Sequence, residues 1–130
     1  QFDFYVLIKQ NIEKIDLTNG TQKRDFIYIT DIMSAYESII ANIDKFSNYE
    51  EFELGSGNSI EVKKFIKLIH NELSKEQTVE TLLNFGAVKY RVNENMNMQA
   101  DISKLEKLGW NAKVSIGYGI KRIITGKNIC

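Results

Sequence analysis

Proline is absent from the 130 residues, and cysteine and histidine occur once each. Loops without proline must turn on other residues, and Asn19-Gly20, Gly55-Ser56-Gly57-Asn58 and Gly109 supply them. The single cysteine, Cys130, can form neither an intrachain disulfide nor a thiolate metal cluster, which suits a reducing, cytoplasmic setting. One histidine, His70, leaves no His/Asp/Glu cluster with metal spacing. A Ser-His-Asp triad would have to recruit that same His70, with no nucleophile-elbow pattern in support. Its place beside the apolar stripe of a helix is that of a partly exposed helical side chain. No apolar run approaches the ~20 residues of a membrane helix, and no signal-peptide pattern opens the sequence. Lys+Arg and Asp+Glu both total 17, so no net charge draws the chain to nucleic acid or membrane. Any anion site has to be local.

What is there reads as one ordinary globular domain. The mass of 15.0 kDa is enough for a buried core, and 43% hydrophobic with 26% charged residues is not a disordered composition. The sequence opens on Gln1 within a helical pattern, which leads us to expect a fragment or excised domain. Phe4, Leu7, Ile8 and Ile12 predict an opening helix over 3–12, followed by a strand at 15–17 and a turn at 18–20. Phe26–Ile29 predicts a strand covered on both faces. Thr30 or Asp31 caps a helix over 31–46, with Ile32, Ala35, Ile39, Ile40 and Ile43 inward. Phe52–Leu54 predicts a strand stopped by Gly55. Ser59 caps a helix over 61–74 with Val62, Phe65, Ile66, Ile69 and Leu73 as its stripe. A strand at 88–90 and a short helix from Asp101 to Gly109 follow. Ser115 then caps a last helix with Ile116, Ile120, Ile123 and Ile124 inward. The order predicts an α+β lobe with short strands and about five helices, not a doubly wound sheet.

The most informative stretch is Gly20-Thr-Gln-Lys-Arg24-Asp25-Phe-Ile-Tyr-Ile-Thr30-Asp31. It feeds a basic residue into an apolar segment and then a helix, an arrangement suited to holding a phosphate. By contrast, the glycine-rich turn that cradles a dinucleotide pyrophosphate follows no strand here. Gly55-Ser-Gly57-Asn-Ser comes nearest and lacks the third glycine.

Four segments in order resemble the extended short-chain dehydrogenase/reductase family, the NAD-dependent epimerases and dehydratases. They are Lys23–Asp31, Phe52–Val62 with Gly55-Ser-Gly57, Asp101–Trp110 ending in Leu108-Gly109-Trp110, and Ser115-Ile116 with Gly119-Ile120. Together they span nearly the whole chain. Within the family, Phe85–Met96 looks most like the branch of CDP-abequose and CDP-paratose synthases, enzymes of lipopolysaccharide O-antigen sugars. The resemblance implies that residues 1–130 are the C-terminal substrate-binding segment of a two-domain enzyme. An N-terminal Rossmann domain, missing here, would bind NAD(P), and this segment would close over a nucleotide sugar. The family's acid/base Tyr-x-x-x-Lys lies far ahead of the Arg-Asp-Phe segment. Tyr5-Val-Leu-Ile-Lys9 almost adjoins it and is a chance match in a chain with 6 tyrosines.

The resemblance further implies a diphosphate contact for Arg24 and an opposing clamp from Arg91, on a loop with Asn93 and Glu94. A planar guanidinium suits phosphate better than lysine does. Bland alternatives stand beside these roles: Arg24 as a solvated ion pair with Asp25, and Asn93 and Glu94 as loop orienters or simply exposed. Asp25 and Asp31 read as strand-end partner and helix cap, and Trp110 as a core plug. The fragment is expected to be inactive alone and to bind no NAD(P). A free-standing, non-catalytic binding or regulatory module is the alternative. Apolar surface left by a missing domain would also permit a homodimer.

Overall fold

The computed structural model describes residues 2–126, with side chains from Tyr5 onward. Gln1, Cys130 and the side chain of Phe4 lie outside the described residues. In chain order the elements are α1 (Phe2–Lys9), β1 (Lys14–Leu17), β2 (Lys23–Arg24), α2 (Ile29–Ala41), β3 (Ile60–Glu61), α3 (Val62–Glu76), β4 (Leu82–Phe85), α4 (Ser103–Lys107) and α5 (Ile116–Thr125). A 3-10 turn at Ile43–Lys45 follows α2. The architecture is α+β, as the pattern predicts.

Two small cores organise these elements. In the first, Ile8 of α1, Ile15 and Leu17 of β1, Ile66, Ile69 and Leu73 of α3 and Ile120 of α5 bury one another. The helical spacing of 66, 69 and 73 puts those three on one stripe, and β1 alternates exposed and buried as a half-covered strand must. β1 pairs in parallel with β4, Lys14 opposite Leu82 through Leu17 opposite Phe85. In the second core, Ala35 of α2 and Leu105 of α4 close around Trp110, which is 4% exposed, with Ile27, Ile39, Phe52 and Leu54 against them. Trp110 is the expected core plug, and its indole N–H donates to Ser34 Oγ at 2.8 Å. Phe65, which packs against the first core, is stacked by Phe26, centroids 3.8 Å apart and 6° from parallel.

Several expectations are corrected. Phe26–Ile29 and Phe52–Leu54 are not strands: among the described residues, the backbone of Phe26, Ile27 and Phe52 to Leu54 makes no backbone–backbone hydrogen bond. β-propensity selects residues for a sheet, but a ladder also needs a neighbour. Val88–Tyr90 is not a strand either. It leaves β4 in a turn, with Gly86 N and Val88 N both donating to Leu17 O at 3.0 Å. The true partner of β1 is the unforeseen Leu82–Phe85.

The helix from 29 starts two residues early, with Tyr28 at its N-cap and no side-chain cap bond. Asp31 is instead buried, and its two oxygens accept Lys113 N at 3.0 Å and Val114 N at 2.9 Å, fastening the loop that enters α5. Ile40 and Ile43, expected inward, are 66% and 62% exposed, and Ile123 of α5 is also exposed. Ser59 does not cap α3, whose N-cap is Glu61; its hydroxyl lies 3.2 and 3.1 Å from Asn97 Oδ1 and Gln99 Oε1. Ser115 does cap α5, accepting Tyr118 N at 3.3 Å.

Candidate functional site

β2 is only two residues long, yet two segments pair with it. β3 runs antiparallel, Lys23 opposite Glu61 and Arg24 opposite Ile60. On the other edge Lys23 N donates to Met96 O at 2.8 Å and Met98 N to Lys23 O at 3.1 Å. The loop over 90–100 is thereby laid along residues 21–25, and side chains complete the seam. Tyr90 Oη accepts Thr21 N at 2.9 Å and shares a 2.7 Å hydrogen bond with the Thr21 hydroxyl.

Arg24 is the centre of this seam. Its Nη2 donates to Glu94 Oε1 at 2.6 Å, and its Nη1 donates to the carbonyls of Lys23 at 2.8 Å and Asn95 at 2.7 Å. The Arg24 and Glu94 side chains are 21% and 23% exposed, so the ion pair is partly shielded from water. Three of the guanidinium's five N–H donors are committed, which leaves two for an incoming acceptor. The sequence alternative of an Arg24–Asp25 pair is not what forms.

Asp25 turns the other way. Oδ1 accepts Ser56 N at 2.8 Å and Ser56 Oγ at 2.6 Å, while Oδ2 accepts Gly57 N at 3.0 Å and Ala100 N at 3.2 Å. One carboxylate thus joins β2 to the Gly55–Gly57 turn and to the end of the 90–100 loop, the structural part expected for it. A side chain at Gly55 would meet Asp25 Oδ2 at 2.6 Å and Ala100 Cβ at 2.5 Å. Gly57 holds φ +80, a left-handed value that few side chains tolerate.

Arg91, Val92, Asn93 and Glu94 form a turn closed by Glu94 N donating to Arg91 O at 3.1 Å. Asn93 takes its left-handed position at φ 65, for which asparagine is among the better non-glycine residues. Arg91 is exposed and makes no ion pair among the described residues. Its neighbour Tyr90 and the end of its turn, Glu94, are both anchored to residues 21–24. The structure therefore gathers all four sequence candidates at one seam: Arg24 held, Glu94 holding it, Asn93 shaping the turn and Arg91 open to solvent.

No strand-to-helix junction among the described residues offers a dinucleotide cradle. β3 passes directly into α3 between Glu61 and Val62, and the amides of the Ser56-Gly57 turn are spent on Asp25. An apolar cleft of about 380 Å³ lies between Phe26, Tyr28, Phe65, Val114, Ile120 and Ile123. It is lined by no lysine or arginine and does not suit a diphosphate. No group of three or more metal-ligating side chains occurs among the described residues.

A model of the GDP-mannose 4,6 dehydratase family matches residues 3–123. CDP-abequose synthase of Salmonella muenchen is 41% identical over 124 residues, 95% of this chain and 41% of that protein. UDP-glucuronate 4-epimerase of Thermodesulfobacterium geofontis is 37% identical over 82% of this chain and 30% of its own length. The crystal structure of UDP-glucose 4-epimerase with UDP-glucose from Thermotoga maritima superposes with a TM-score of 0.73 at 22% identity. That match covers 95% of this chain and 37% of the epimerase. The chain thus spans about two fifths or less of the length of these relatives.

Proposed function

The chain belongs to the GDP-mannose 4,6 dehydratase family of extended short-chain dehydrogenases/reductases, and we propose that it is the nucleotide-sugar-binding part of such an enzyme. In this reading an N-terminal Rossmann domain supplies NAD(P) and the tyrosine–lysine acid/base pair. The present segment holds the substrate's diphosphate, and the parent enzyme moves hydride at a sugar carbon as an epimerase, dehydratase or 4-keto reductase. The likeness to CDP-abequose synthase favours a cytidine diphosphate sugar. The segment by itself turns nothing over.

The observation that carries this reading is the pairing of a partly shielded, pre-oriented guanidinium at Arg24 with an open one at Arg91 across a single seam. Because Glu94 balances Arg24, Arg91 is the uncompensated charge and Arg24 the preset fork with two donors to spare. A diphosphate needs both charge and paired donors.

The test is kinetic and uses the full-length enzyme. Arg24→Ala and Arg91→Ala should each raise KM for the nucleotide sugar far more than they lower kcat. The diphosphate does not react, so the lost contact weighs equally on ground and transition states. A charge-assisted contact of ~1.5–3 kcal/mol corresponds to roughly ten- to a hundredfold in KM. Lysine at position 24 should rescue only in part. Unchanged KM in both alanine variants would reject the clamp.

A further inference from the structure

Building on that reading, we infer that Glu94 is a positioning residue, acting on the diphosphate through Arg24 without touching it. The Glu94 carboxylate lies 2.6 Å from Arg24 Nη2. The neighbouring Asn95 carbonyl takes Nη1 at 2.7 Å, so two consecutive residues of the 90–100 loop grip two nitrogens of one guanidinium. An arginine side chain has many rotamers, and ordering one costs free energy that a preset contact removes beforehand. Glu94 performs that ordering.

The grip runs in the other direction as well. Between the Tyr90 anchor on Thr21 and the Lys23 pairing with Met96, the Arg91–Glu94 turn contributes one side-chain tie to residues 21–25 among the described residues, the Glu94 carboxylate. Arg91 makes no tie of its own. The position of Arg91 is therefore set by Tyr90 before it and by Glu94 after it. The two arginines are mechanically coupled through an acid whose charge, considered alone, would repel the ligand. Its benefit is geometric, and it outweighs that repulsion because the acid's nearest charge is Arg24 itself.

A double-mutant cycle in the full-length enzyme separates this from a direct contact. Glu94→Ala should raise KM for the nucleotide sugar by about tenfold with a smaller effect on kcat, the loss expected for one charge-assisted bond. Arg24→Ala/Glu94→Ala should resemble Arg24→Ala alone, because Glu94 has nothing left to position. Glu94→Gln keeps an acceptor oxygen, so it should recover most of the lost affinity and guard against an alanine variant that folds poorly. Multiplying effects in the double variant would overturn the inference and make Glu94 a substrate contact in its own right. A lower KM for Glu94→Ala would overturn it too, showing the carboxylate to be a competitor for the guanidinium. If Arg24→Ala left KM unchanged, this inference would fall, and if Arg91→Ala did so as well the diphosphate reading would fall with it. Additivity would remove this inference only.

Discussion

Asp31 carries a carboxylate buried to 4% exposure whose two oxygens both accept backbone N–H groups, from Lys113 and Val114. Its position in the first turn of α2 adds the favourable field of the helix N-terminus. Removing it strands two donors, each costing ~1–3 kcal/mol when left unsatisfied. Asp31→Ala should accordingly lower stability by about 2–4 kcal/mol, read as a fall in Tm on thermal unfolding. Asp101 is the contrasting case at the surface. Hydrogen bonds from Ser103, side chain and then backbone, hold its carboxyl below the usual carboxylate range. The folded pKa lies below the unfolded one, so the stability it lends α4 is present above the unfolded value and is lost as pH falls through the folded value. Protection of the α4 amides, taken relative to the intrinsic exchange rate at each pH, should fall on acidification in the parent chain, and Asp101→Asn should remove that dependence. At this scale the sequence was partly legible. Arg24, Arg91, Asn93 and Glu94 could be nominated through the family resemblance, but the pairing of Arg24 with Glu94 joins residues 70 apart. No local pattern signals such a contact, and adjacency pointed to Asp25 instead.

Among the elements, caps tell which helix starts depend on a side chain. Ser115 accepts Tyr118 N, so Ser115→Ala should cost ~1 kcal/mol. Thr30→Ala should be nearly neutral, since α2 begins at Tyr28 with no side-chain cap bond. Comparing the two variants by chemical denaturation checks both expectations; a large loss at Thr30 would contradict the assignment. Helices were legible because their evidence is local: the 3.6-residue spacing of Ile66, Ile69 and Leu73, or the Leu108-Gly109-Trp110 stop. Strands were not, because a strand is defined by what lies beside it. Phe26-Ile27 and Phe52–Leu54 have strand composition, with Phe26, Ile27, Phe52 and Leu54 half-buried, yet no backbone partner among the described residues. Leu82–Phe85 has the partner, β1, and Gly86 at φ 91 ends it in a turn.

For the molecule as a whole, the unpaired segments bracket α2, whose Ile29, Met33, Tyr36, Ile40 and, just beyond it, Ile43 are each at least half exposed. Their spacing of four and three residues makes one continuous apolar seam, the pattern of a helix that packs against another layer. Five of the fifteen exposed large hydrophobic side chains among the described residues lie on or just beyond α2, more than on any other element. If the proposed N-terminal domain covers this seam, the 130-residue chain alone should bind hydrophobic dye and self-associate. Met33→Glu/Ile40→Glu should suppress both, while destabilising the full-length enzyme. A chain that stays monomeric and dye-free at high concentration would contradict the docking role.

We propose that this segment grips the diphosphate of a nucleotide sugar while the cofactor is held elsewhere. Calorimetric titration of the full-length enzyme and its Arg24→Ala variant, once with a nucleoside diphosphate and once with NAD(P)H, tests it most directly. The expected result is a nucleoside diphosphate Kd raised roughly ten- to a hundredfold, with the cofactor Kd unchanged. An unchanged nucleoside diphosphate Kd with a collapsed cofactor affinity would contradict it.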